Sequence, residues 1–204
     1  MKEENLPEDF KPVVAFHGHL CPGLTIGYRA ANAARKALGI ERDQDEELVA
    51  VVENDACGVD AIQYILGCTL GKGNLIFRDL GKQAFTVFRR HDSKAVRLVF
   101  RGNIGTSDPA AIALRRKVMN GQATVAEQQQ NEQQRTQRMK DLLAATDEEL
   151  FDFKQPDFVI PESARIFDSF ACEQCGETTM EPRLRLVNGQ KICMTCAEPY
   201  HRGW

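Results

Sequence analysis

Cys172-Glu-Gln-Cys175 and Cys193-Met-Thr-Cys196 are two CxxC pairs with 17 residues between them. A CxxC turn sets two thiolates along one edge of a tetrahedron, and two such edges supply the four soft ligands of a structural zinc site. Gly176 permits the tight turn of a knuckle, and residues 183–187 and 190–193 flank Asn188-Gly189, a dipeptide that favours a type I′ hairpin turn. The spacing predicts a zinc module over 171–204. Two disulfides or a redox CxxC compete with this reading. The first conflicts with a reducing compartment, and the second is normally a single pair at a helix start. Iron would satisfy the same spacing.

A second group sits near the N-terminus. His17, His19 and Cys21 lie at i, i+2 and i+4. In an extended segment they would face one side, with neighbouring Cα atoms about 6.6 Å apart, so that two could chelate one ion and three would need the chain to curve. Pro22-Gly23 offers a place to bend. Cys21 then opens a helix whose dipole favours thiolate, and Cys57, also at an expected helix start, is the natural fourth member. Imidazole with thiolate suits zinc, iron, nickel or copper. Alternatively Cys21 acts as a nucleophile with His19 as its base, or the histidines are turn residues and Cys21 a small buried hydrophobe. Cys68 would lie about 16 Å from Cys57 along one helix, too far to share an ion within one chain, and reads as packing. Residues 67–74 (GCTLGKGN) fail as a phosphate loop, because no Ser or Thr follows Lys72 and the segment ends a helix. Lys72 and Asn74 are still expected to point into a pocket as a cation and an amide, with a plain glycine-rich turn as the competing reading.

The elements that must position these groups are legible from periodicity and caps. A helix is expected from Pro22 to Leu38, rich in small residues on a face that admits another backbone. A buried strand over 47–53, a helix over 57–67 and a short strand at 75–77 follow. Alternating runs at 84–90 and 95–101 signal a hairpin. Ser107-Asp108-Pro109 starts a third helix. Thr124 with Glu127 caps a fourth that runs to about Ala145, its first half glutamine-rich and expected to be solvated. Thr146 with Glu149 repeats the capping pattern. Residues 1–12 read as a loose arm or a short docking segment. The fold class is α+β with an antiparallel-rich sheet: a core over 1–151, a linker over 152–170 and the zinc module over 171–204.

With 43% hydrophobic residues the 204-residue chain can bury a core. Its formal net charge of −3 argues against a general polyanion binder. The module itself balances Arg183, Arg185, Lys191 and Arg202 against Glu173, Glu177, Glu181 and Glu198, a poor composition for nucleic acid and a better one for protein contact. His201 reads as a surface residue. No apolar stretch reaches the roughly 18 residues of a membrane span, and the N-terminus carries no signal core. A cytoplasmic protein is expected, and seven cysteines fit a reducing compartment.

Residues 17–27 (HGHLCPGLTIG), 57–63 (CGVDAIQ) and 67–75 (GCTLGKGNL) together resemble the FmdE family, named for formylmethanofuran dehydrogenase, and the cysteine module is similar to the treble-clef finger that accompanies many of its members. The resemblance implies an α+β core forming a homodimer, a pocket lined by the His-Cys motif, and a C-terminal zinc finger. It also implies association with a molybdenum or tungsten enzyme of methanogenesis. The functional expectation is a metal-binding protein with structural zinc and a second transition metal at His17, His19, Cys21 and Cys57. The alternative is an accessory protein whose pocket senses a metal or small ligand.

Overall fold

A computed structural model describes residues 6–102, 104 and 108–198. The chain forms two compact units, one ending at residue 163 and one beginning at 164.

In the first unit, α1 (Lys11–His17) and α2 (Pro22–Leu38) precede β1 (Leu48–Val52), α3 (Gly58–Leu66) and β2 (Leu75–Phe77). Strands β3 (Ala84–Arg89) and β4 (Lys94–Phe100) form the expected hairpin. Helices α4 (Pro109–Met119), α5 (Val125–Ala144) and α6 (Asp147–Leu150) then lead into β5 (Phe151–Lys154). The sheet order is β2-β1-β3-β4-β5, antiparallel except for β1 and β2. The β1–α3–β2 passage is therefore a parallel crossover inside an α+β sheet.

Strand β1 is buried along its whole length because both of its faces are covered. Leu48, Ala50 and Val52 join Phe85, Val87 and Leu98 under the helices. Val49, Val51 and Phe88 face Phe158 and Ile160 of the chain that follows β5. Part of the segment expected to be a linker is thus the fifth strand and the cover of the sheet's second face. At the end of β1, Glu53 is 2% exposed and takes both of its carboxylate oxygens to Arg97 of β4, at 2.7 and 2.8 Å.

Of the two expected readings of the N-terminal segment, its described residues follow the docking one and not the loose arm. Leu6 and Phe10 are buried, and the Phe10 ring stacks on Tyr28 of α2 at 4.2 Å. The Tyr28 hydroxyl donates to Asp9 at 2.8 Å. Both predicted capping boxes, at Thr124/Glu127 and Thr146/Glu149, are formed. The glutamine-rich first half of α5 is largely exposed, with Met139 and Leu142 of its second half buried. Asp108 caps α4, while Ser107 lies outside the described residues. No helix among the described residues is long and apolar enough to cross a membrane.

The second unit consists of two hairpins, β6 (Ser169–Ala171) with β7 (Thr178–Met180) and β8 (Leu184–Val187) with β9 (Gln190–Cys193). Asn188 and Gly189 turn the second hairpin with φ of 51° and 84°, the pair of positive values a type I′ turn requires. His201 and Arg202 lie outside the described residues.

Candidate metal centre

The positioning of the N-terminal cluster begins with three glycines. A Cβ built on Gly27 of α2 would lie 2.1 Å from the Gly58 carbonyl oxygen of α3, and one on Gly58 would lie 3.1 Å from the Gly23 carbonyl oxygen. Helices α2 and α3 therefore cross with their backbones in contact. A Cβ on Gly23 would meet the Cys57 Cβ at 3.3 Å and the Cys21 Sγ at 4.0 Å. The crossing thus brings Cys57, which precedes α3, against Cys21, which caps α2.

His17 arrives from the other direction, as the last residue of α1. Gly18 ends that helix at φ 90°, a left-handed conformation that turns the chain back on itself. The bend is therefore at Gly18 and not at Pro22-Gly23, and residues 17–21 are a helix end followed by a turn, not an extended strand. His17, His19, Cys21 and Cys57 are brought together, each offering a ligand atom within 4.8 Å of the others. The imidazoles of His17 and His19 lie 4.5 Å apart, centre to centre. His17 Nδ1–H donates to Asp60 Oδ2 at 2.6 Å, which leaves the Nε2 lone pair facing Cys21 Sγ at 3.9 Å. A tetrahedral ion with sulfur and nitrogen ligands sets that edge at about 3.6 Å, so the donor set fits a transition metal. The Asp60–His17 pair is the outer support that metal-bound imidazoles commonly have. Asp60 lies 43 residues from His17 in sequence, and nothing in either motif marks their pairing.

Burial opposes the helix dipole at Cys21. Desolvation pushes its thiol upward, the Leu24 N–H at 3.3 Å pulls down, and the nearby Cys57 pushes up again. Without a cation Cys21 favours the thiol over the expected thiolate. Beside the cluster is a cavity of 430 Å³ that reaches from His17, Cys57 and Asp60 to the apolar side chains of Leu70, Leu75 and Phe77.

Lys72 and Asn74, expected at a pocket, instead tie down a turn. Asn74 is fully buried, donating to Asp43 at 2.8 Å and to the Leu48 carbonyl at 3.1 Å while accepting from the Thr69 N–H at 2.9 Å. The Lys72 ammonium pairs with the same Asp43 carboxylate. Cys68 is a core side chain, and burial drives its thiol up to about 12.

In the second unit, Cys172, Cys175, Cys193 and Cys196 place their sulfurs within 4.8 Å of one another, with Cys175 and Cys193 at 3.9 Å. A tetrahedral zinc–thiolate site has edges of about 3.8 Å. The N–H groups of Cys175 and Cys193 pull the Cys172 thiol down to about 6, while the neighbouring Cys193 and Cys175 thiols push Cys196 up to about 12. One thiolate forms readily and repels the next, a conflict that a bound dication removes.

The model of the FmdE family, described as molybdenum formylmethanofuran dehydrogenase operon, matches residues 16–152. The chain belongs to the FmdE family. The prokaryotic dksA/traR C4-type zinc finger matches residues 165–202, so this FmdE protein carries a zinc-binding finger behind its family domain. A tungsten formylmethanofuran dehydrogenase FmdE-like protein from Syntrophus aciditrophicus shares the fold, with a TM-score of 0.58 at 19% identity over 93% of this chain and 90% of that one. A probable S-adenosyl-L-methionine-binding protein of Archaeoglobus fulgidus is 31% identical over 199 residues, 91% of this chain and 51% of the relative. The chain thus spans about half the length of that relative.

Proposed function

We propose that this FmdE protein holds a second transition metal at His17, His19, Cys21 and Cys57, and that this metal faces a small-molecule ligand in the adjoining cavity. The convergence of the four ligand atoms within 4.8 Å carries the reading. It is supported by Asp60, which fixes His17 with Nε2 toward the site, and by the exposure of His19, which leaves one side of the cluster open. A metal bound there supplies Lewis-acid polarisation of a ligand oxygen or nitrogen. The chain's own part is to orient. Asp60 keeps the Nδ1 proton on His17, the glycine crossing fixes the separation of the two cysteines, and Leu70, Leu75 and Phe77 shed water from the cavity wall.

Metal content, measured by mass spectrometry on protein purified without added metal, tests this. Wild type is expected to carry two equivalents and Cys21→Ala one. One equivalent in both would refute the second site. An accessory role is favoured by a different observation. The finger exposes Phe170, Met180, Leu186 and Met194, apolar surface suited to a protein partner. Loss of partner binding on removal of 164–204, with the metal at the first unit retained, would support that role.

A further inference from the structure

A second cavity meets the family motifs only at Pro22. Its volume is 310 Å³, and its walls include Arg115 of α4 and Arg135 and Arg138 of α5. Asn131 and Gln134 add two amides, and no carboxylate lines it among the described residues. Residues 131, 134, 135 and 138 share one face of α5 by helical spacing, and α4 packs against α5. Three guanidiniums therefore converge from two helices on one space.

Their pairing is incomplete. Arg135 donates to the Leu20 carbonyl and reaches Glu132 at 3.3 Å. The Arg138 Nε is buried with no acceptor. Burial, and then the charge of Arg115, both weaken the hold of Arg138 on its proton. Burying a guanidinium beside a like charge is costly unless an anion joins it. Pro22, the first residue of the 17-residue helix α2, edges the same cavity, so the positive end of that helix adds to the field.

We infer that this cavity binds a phosphoryl group carried by a small molecule. Guanidinium forks arriving from two helices suit an anion with three terminal oxygens, whereas the two oxygens of a carboxylate fill a single fork. The volume lies at the lower end of the roughly 300–1,000 Å³ of small-ligand sites and leaves room for an organic remainder. Pro22 follows Cys21 directly, so a ligand anchored here lies beside the residues that carry the candidate metal centre. The anion site itself does not depend on that metal.

Calorimetric titration of the full chain at low ionic strength, with ribose 5-phosphate and with inorganic phosphate, tests the inference. The ester is expected to bind at least tenfold more tightly than inorganic phosphate. Arg138→Met and Arg115→Met are each expected to weaken it more than tenfold. The ligand-free Arg138→Met protein is expected to melt no lower than wild type, since it no longer buries an unsatisfied cation, and to lose the upward melting shift that the ester gives wild type. No saturable binding, or unchanged affinity in both variants, would overturn the site. Equal affinity for inorganic phosphate would overturn the organic remainder, and tighter binding of a single-stranded oligonucleotide would overturn the small-molecule assignment.

Discussion

The two ligand clusters of this protein each gather four donor atoms within 4.8 Å, and they do so by opposite means. In the finger three donors come from two short hairpins and Cys196 from the turn after the second, and the buried apolar residues around them are only Cys172, Ile192 and Cys193 among the described residues. So little buried surface cannot offset the ordering entropy of the module, and the ion must contribute much of its folding energy. In the first unit the donors are held by the end of α1, the start of α2 and the start of α3, elements packed into one core with Phe10, Leu24, Ile62 and Leu66. There packing fixes the donors whether or not an ion is present. Where a core is missing the metal organises the protein, and where a core exists the protein organises the donor atoms.

Chelation breaks this comparison most forcefully. Structural zinc contributes about 10–16 kcal/mol to the folding of small modules. Stripping metal should therefore abolish amide-exchange protection over 169–196 while leaving protection in β1, β3 and α2 intact. Loss of protection in both units would refute the contrast. Next in size is Gly27→Ala. Its methyl has no space beside the Gly58 backbone, so the helices must part, and the cost is expected at or above the roughly 3 kcal/mol upper end usual for overpacking. Denaturant unfolding should register that loss in the first unit, and metal retention there should fall with it while the finger keeps its zinc. Asp60→Asn sharpens the picture further, since it weakens a support of His17 without touching packing. A loss of about 10- to 100-fold in metal affinity at the first site is expected, read by competition with a chromophoric chelator. An unchanged affinity would show that His17 needs no orienting partner. The smallest effect concerns Cys68, a thiol in neither cluster. Its folded value of about 12 lies above the ordinary 9, so the unfolded chain releases its proton first. Stability is therefore full below pH 9 and declines as pH rises toward 12, by about 1.4 kcal/mol at pH 10. Cys68→Ala should show a shallower decline than wild type between pH 8 and 10 in urea titrations.

The legible parts of this molecule were those whose cause is local. The finger's hairpin follows from Asn188-Gly189 and its flanking cysteines. The second helix begins at Pro22, and both capping boxes lie within four residues of sequence. The family likeness likewise rests on contiguous runs at 17–27, 57–63 and 67–75. What stayed hidden depends on partners far along the chain. Asp60 reaches His17 across 43 residues, and Asp43 draws Lys72 and Asn74 inward from 29 and 31 residues away. The first dozen residues carry few apolar side chains, so their composition left a loose arm and a docking segment undecided until Phe10 stacked on Tyr28 of α2. The arginine-lined cavity needed α4 and α5 to be set side by side before its charges met, although the spacing of Arg135 and Arg138 already put them on one face.

Gly18 and Gly27 are required for two different reasons that a saturation library would separate. Gly18 is required by its torsion angle, and a Cβ there meets nothing within 4 Å. Asparagine, which tolerates the left-handed region, should survive selection at that position. Gly27 is required by the absence of a side chain, since the oxygen of another backbone already occupies the space. No second amino acid should survive there. Position 27 would then be among the least permissive in the first unit, although it ligates nothing, and an inheritable loss of the candidate metal centre could begin at a residue with no chemistry of its own.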